Sequence, residues 1–308
     1  MLVNPHGDVK LIVPADSWTP SGHVPTLDGV RGLAIIMVTL FRFNTGPAYD
    51  GPLGNLIFGG LKFGFLGVDL FFVLSGFLIT GILYDAKQQA RYFRNFYARR
   101  ALRIFPLYYG FLLVMLVLMP ALLGSRWEFF PEARAGQTWL WLYGANFLMG
   151  IRDSWCLGSF EHFWSLAIEE HFYLVWPLVI YCCSRRGAML ASLIALCISI
   201  FGRIIWLRMG GNSVAVELFT FFRLDGLALG ALAALAARGP LGIRPLVRWA
   251  VPAAIFGAIA LIAITPGDRR LLGLRWTIVA VFFAGVLVLA VASRPNTVWG
   301  RFWRFRVL

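Results

Sequence analysis

The sequence predicts an all-α fold, a polytopic membrane helix bundle of about eight spanning helices plus one short re-entrant or interfacial helix. Three observations predict it. The 308 residues are 59% hydrophobic and only 14% charged, where a soluble domain carries about 25% charged residues. Apolar runs recur at 30–43, 63–84, 104–123, 164–183, 188–207, 215–237, 249–266 and 274–293. Each is long enough, or nearly so, to cross a bilayer as a helix that satisfies its own backbone groups. The basic residues fall mainly in the short loops between these runs, where they set topology.

Residues 1–25 include Pro5, Asp8, Lys10, Asp16 and Pro20 and show no apolar stretch of the signal-peptide kind. They are expected to form a cytoplasmic tail, with the run at 30–43 directing insertion. The run at 63–84 is the second span. Residues 86–103 mix aromatics with arginines, a pattern expected of an amphipathic cytoplasmic helix lying at the lipid headgroups. The third span follows at 104–123. The apolar stretch 138–150 is too short to cross and reads as re-entrant or interfacial.

If that stretch does not cross, loops 85–103, 184–187, 238–248 and 294–308 share one side of the membrane. They hold 15 lysines and arginines against eight in the opposite loops, which makes their side cytoplasmic. The expected organisation is a cytoplasmic tail at 1–25, a membrane domain at 26–293 and a basic cytoplasmic tail at 294–308. The net charge of +13 is then explained by topology and by anionic lipid headgroups as partners, not by nucleic acid. Cys156, Cys182, Cys183 and Cys197 show no metal-ligand spacing and read as small buried residues, so no metal site is expected.

Ionisable residues inside spans are costly, which makes them functional candidates. They are Arg42, Asp69, Glu169, Glu170, His171, Arg203, Arg223 and Asp225. Helical rise puts Asp69, Glu169 and Glu170 about 8–9 Å below the outer ends of their spans, and Arg223 and Asp225 about 12–15 Å below. Arg42 sits at the outer end of the first span, and Arg31 about 16 Å beneath it. Acids and arginines at similar depth can neutralise each other and fix helix packing; Arg203 suits that structural role. The same set can also line a polar pocket in the outer half of the membrane.

Five segments resemble, in order, the signatures of acyltransferase family 3. They are Thr26-Leu27-Asp28-Gly29-Val30-Arg31-Gly32-Leu33-Ala34 running on to Arg42, Gly64–Ile79 around Asp69, Phe96–Pro106, His162–Tyr173 and Phe222–Gly226. Each is weak alone; five in order across residues 26–235 are specific. The resemblance implies a membrane O-acyltransferase with no bound cofactor, using acyl-CoA, acetyl-CoA above all, as co-substrate. It implies an acceptor hydroxyl on an extracytoplasmic glycan, a lipid-linked sugar or a secreted metabolite, and a multi-pass place in a bacterial plasma (inner) membrane. It implies a catalytic set of Arg31, Arg42, Asp69, Glu169 and His171, and a donor- and substrate-binding set of Arg99, Arg100, Arg103, Trp164, Ser165, Arg223 and Asp225.

Two departures from the family pattern stand out. The family places a histidine, its expected base, where this chain has Arg42, and an arginine cannot act as a base. His171 is the first substitute, with Glu169 and His162 as alternatives. Family members have ten spans, and the residues Arg304-Phe305-Arg306-Val307-Leu308 resemble a loop ahead of a ninth. Two other functions fit the same sequence: a non-catalytic relative that binds donor or acts as a scaffold, and a transporter, which intramembrane charges also suit.

Overall fold

The computed structural model describes residues 24–43, 60–61, 63–124, 129–263 and 269–304, together with a two-residue antiparallel pairing of Leu2–Val3 with Val9–Lys10. The fold is a helix bundle. In chain order the helices are α1 (Pro25–Phe43), α2 (Gly67–Asp85, entered through a 3-10 turn at Phe63–Leu66) and α3 (Tyr92–Leu123). Three short helices follow: α4 (Pro131–Ala135), α5 (Gln137–Trp141) and α6 (Ala145–Ile151). The chain continues through α7 (Phe163–Cys182), α8 (Arg185–Arg208), α9 (Ser213–Leu218) and α10 (Leu224–Ala237). It closes with α11 (Arg244–Ala263), α12 (Arg269–Val291) and α13 (Val298–Phe302).

Among the described residues the apolar runs are mainly helical, but not every run becomes a regular span. Five helices among the described residues are long and apolar enough to cross a membrane: Phe63–Asp85, Tyr92–Leu123, Arg185–Arg208, Arg244–Leu261 and Leu271–Val291. Of the other three expected spans, α1 carries Asp28, Arg31 and Arg42, and α7 carries Glu169, Glu170 and His171. The third, 215–237, is not one helix. It breaks after Leu218, passes through a 3-10 turn at Thr220–Phe222 and restarts at Leu224. Carbonyls freed by the break are held by distant side chains. Asn146 donates to Leu218 O at 3.0 Å, Ser199 to Phe221 O at 3.0 Å, and Arg203 to Phe222 O. Irregular backbone at membrane depth is tolerated where protein supplies such partners.

A second expectation is also corrected. Residues 86–103 do not form a separate surface helix, because α3 starts at Tyr92 and runs unbroken into the third span. Pro106 interrupts neither segment, and a π turn at Val114–Leu118 lies eight residues beyond it. The stretch 138–150 becomes parts of α5 and all but the last residue of α6, whose Asn146 and Met149 are fully buried. Residues 294–304 fold back, with Trp303 in the same buried cluster as Leu27 and Val30 of α1. The expected tail at 1–25 lies outside the described residues but for the strand pair, Val24 and Pro25, and so do residues 305–308.

The centre of the bundle is α2, which packs on α1, α7, α10 and α12. Its tightest partner is α10, a helix built largely of Ala, Gly and Leu. A Cβ on Gly76 would overlap the Leu227 carbonyl, and one on Gly230 the Val73 carbonyl, so the two backbones touch at glycine. Small residues serve this purpose in membranes, where close packing takes over from hydrophobic burial. The outer faces are apolar. Leu107, Leu174, Phe201 and Ile259 are all more than half exposed, a surface that lipid, not water, would cover.

Candidate active site

At one end of α2 lies a cavity of about 420 Å³. Arg42 reaches it from the last turn of α1, Asp69 from the first turn of α2, and Trp164 and Ser165 from the first turn of α7. Arg223 enters because the break before α10 leaves it as the N-terminal flank of that helix. Glu161, His162, Glu217, Arg275, Trp155 and Trp276 complete the polar and aromatic lining.

Arg223 and Asp69 form the floor. Arg223 Nη2 bonds Asp69 Oδ1 at 2.7 Å, and both side chains are almost wholly buried. The guanidinium lies 3.9 Å from the centre of the Trp276 ring and 5.6 Å from that of Trp164, where the aromatic faces stabilise its charge. Its Nε and Nη1, and Asp69 Oδ2, have no hydrogen-bond partner among the described residues. Buried donors and acceptors are rarely left unpaired, so the pair carries unmet hydrogen-bonding demand beneath the cavity surface.

The opposite wall holds Arg42 and His162. Arg42 Nη2 lies 3.2 Å from His162 Nδ1, and the same Nδ1 lies 2.8 Å from the Ser159 carbonyl. Ser165 donates to the His162 carbonyl at 3.2 Å. Burial pushes the His162 imidazole below its ordinary range, and the neighbouring Arg42 charge adds to this, against the Ser159 carbonyl. Burial raises the neighbouring Glu161 carboxyl, with Arg42 opposing.

A second hollow, of about 230 Å³, opens at the other end of α2 and is lined by Arg99, Arg100 and Arg103 of α3 with Gln89 and Asn95. An apolar groove of about 450 Å³ runs between α3 and α7. Arg103 borders both the groove and the basic hollow; His162 borders both the groove and the cavity. The groove therefore shares one wall residue with each of the other two openings.

A family model described as an acyltransferase domain matches residues 24–308. The chain belongs to acyltransferase family 3. Among curated relatives, the peptidoglycan O-acetyltransferase OatA of Listeria monocytogenes is 36% identical over 50% of this chain and 24% of its own length. The putative peptidoglycan O-acetyltransferase YrhL of Bacillus subtilis is 31% identical over 69% of this chain and 33% of its own. The O-acetyltransferase OatA of Staphylococcus aureus is 30% identical over 69% of this chain and 34% of its own. The chain thus spans about a quarter to a third of the length of these relatives. No solved structure matches it.

Of the residues that acyltransferase family 3 signatures single out, Arg42, Asp69, Trp164, Ser165 and Arg223 meet in the cavity, and Arg99, Arg100 and Arg103 meet in the basic hollow. The others lie elsewhere. Arg31 pairs with Asp28 at 3.0 Å on α1. Asp225 lies behind the floor, held by Arg203 at 2.9 Å and Thr277 at 3.0 Å. Arg203, wholly buried, also donates to Gly273 O at 2.9 Å and so ties α8 to α12. Glu169 accepts from Ser75 at 2.8 Å and Tyr173 at 3.1 Å, with the Arg100 guanidinium 4.3 Å from the centre of the Tyr173 ring. His171 bonds Thr220 at 2.7 Å and is not part of the cavity lining. Glu217 escaped the sequence reading although it falls inside an apolar run, where the rule that flagged Asp69 applies equally, and Arg275 enters that reading only as one of the eight basic residues of the outer loops. Trp155 and Trp276 carried no comparable signal.

Proposed function

We propose that this chain is an O-acyltransferase that takes an acetyl group from acetyl-CoA and places it on a hydroxyl of an extracytoplasmic glycan, with peptidoglycan as the acceptor class. The observation that carries this reading is the pairing of a basic hollow at one end of α2 with an acid- and tryptophan-lined cavity at the other. In this reading the hollow faces the cytoplasm and holds the anionic nucleotide end of CoA through Arg99, Arg100 and Arg103, whose guanidiniums suit phosphate. The cavity holds the acceptor. Trp155, Trp164 and Trp276 offer flat apolar faces for sugar rings, while Asp69, Glu161 and Glu217 offer hydrogen-bond acceptors for hydroxyls.

The chemistry asks for a donor set at the carbonyl oxygen, which becomes an oxyanion as the hydroxyl attacks. The Arg223 guanidinium, which lines the cavity and is already oriented by Asp69, supplies it. Substituting Arg223 by Lys keeps a charge but removes the planar fork, and is expected to lower kcat about 100- to 1,000-fold. The reading is tested with the purified chain in nanodiscs, given acetyl-CoA and muropeptides. Mass spectrometry should find an acetyl ester on the glycan. Binding of acetyl-CoA with no ester formed would favour the alternative of a non-catalytic relative, to which Arg42 in the family's histidine position points.

A further inference from the structure

We propose that His162 is the general base of this chain, acting through Nε2, and that Arg42 is the cation beside it and not its replacement. The inference deepens the acyl-transfer reading and rests on it. It starts from an incompatibility at one atom. The Ser159 carbonyl can only accept a hydrogen bond, so its 2.8 Å contact requires a proton on His162 Nδ1. Arg42 can only donate, so a bond across its 3.2 Å contact requires a lone pair on the same Nδ1. Both cannot hold. The shorter contact sets the tautomer, with Nδ1–H donating to Ser159. Nε2 then carries the lone pair, and among the described residues both hydrogen-bond contacts of the His162 ring are at Nδ1. A neutral imidazole anchored at one nitrogen and basic at the other is what a general base needs.

The surroundings suit the role. His162 is exposed to both the cavity and the groove from the basic hollow, so acceptor and thioester can meet at it. Charged groups face the shared space from each packed element. They are Arg42 on α1, Asp69 on α2, Glu161 beside the histidine, Glu217 on α9, Arg223 ahead of α10, Arg275 on α12, and Arg103 on the groove side. Among these Arg42 is in contact with the ring, and its charge opposes protonation. A cation in the family's histidine position thereby keeps a different histidine in its basic form.

The step balances without a further reactant. His162 Nε2 takes the proton of the acceptor hydroxyl as its oxygen attacks the thioester carbonyl carbon. The tetrahedral oxyanion rests on Arg223. Its collapse breaks the C–S bond, the ester remains on the acceptor, and the departing thiolate takes the proton back from the imidazolium.

The test uses the full chain in nanodiscs, with muropeptides as acceptors and free thiol as the readout across pH. Wild type should turn over, with an acidic limb below the ordinary histidine value of about 6.5. His162→Gln should lower kcat/KM about 100- to 10,000-fold while acetyl-CoA binding stays at the wild-type level. Arg42→Gln should move the acidic limb to higher pH. Nitrogen-15 histidine NMR of the wild type checks the tautomer without any substitution, and should show the proton on Nδ1. A wild type that turns over, with His162→Gln equally active or the proton found on Nε2, overturns the assignment and leaves the acyltransferase reading standing. A wild type that transfers no acetyl group overturns both.

Discussion

Arg223 is held by one acid and packed among aromatic rings at the cavity, and the site's chemistry follows from that setting. Asp69 neutralises it, three aromatic rings surround it, and two of its buried nitrogens have no hydrogen-bond partner among the described residues. Removing the acid should expose how the pair is balanced. Asp69→Ala leaves a buried guanidinium uncompensated and is expected to cost about 3–5 kcal/mol of stability, read as a lower melting temperature in nanodiscs. Asp69 and Arg223 were legible in the sequence because a charge inside an apolar run is conspicuous. Their pairing was not, since they lie 154 positions apart and only the packing of α2 on α10 brings them together. The neighbourhood of Arg42 and His162 was hidden for the same reason: α1 and the turn before α7 meet only in three dimensions.

At the scale of elements, the apolar runs specified which segments are helical, and failed where distant side chains decide continuity. Nothing within 215–237 signals a break, because the carbonyls it frees are satisfied by Asn146, Ser199 and Arg203 from other parts of the chain. Asn146→Leu should therefore destabilise the break by about 1–3 kcal/mol, the cost of a buried acceptor left unpaired. It should also lower turnover, since the break is what turns Arg223 into the cavity. The merger of 92–103 with the third span has a simpler cause: no capping residue or glycine separates the arginine segment from the apolar one. The contact of α2 with α10 offers a cleaner packing test. Gly230→Leu should cost at least the 1–3 kcal/mol typical of overpacking, because the obstacle is the Val73 backbone and cannot rotate away.

Across the whole molecule, the basic hollow and the polar cavity lie at opposite ends of α2, and the α3–α7 groove shares a wall residue with each. Replacing Arg99, Arg100 and Arg103 together by Ala should raise KM for acetyl-CoA with little change in kcat, and added salt should weaken wild-type donor binding in the same direction. The most direct test of the account follows the acetyl group itself. Proteoliposomes holding the wild type are given acetyl-labelled CoA on the Arg99–Arg103 side and muropeptides on the cavity side, and the glycan is examined for label. The account predicts labelled O-acetyl ester on the glycan, abolished when donor and acceptor share only the cavity side. Thiol release with no label on the glycan, or label appearing whichever side receives the donor, would contradict it.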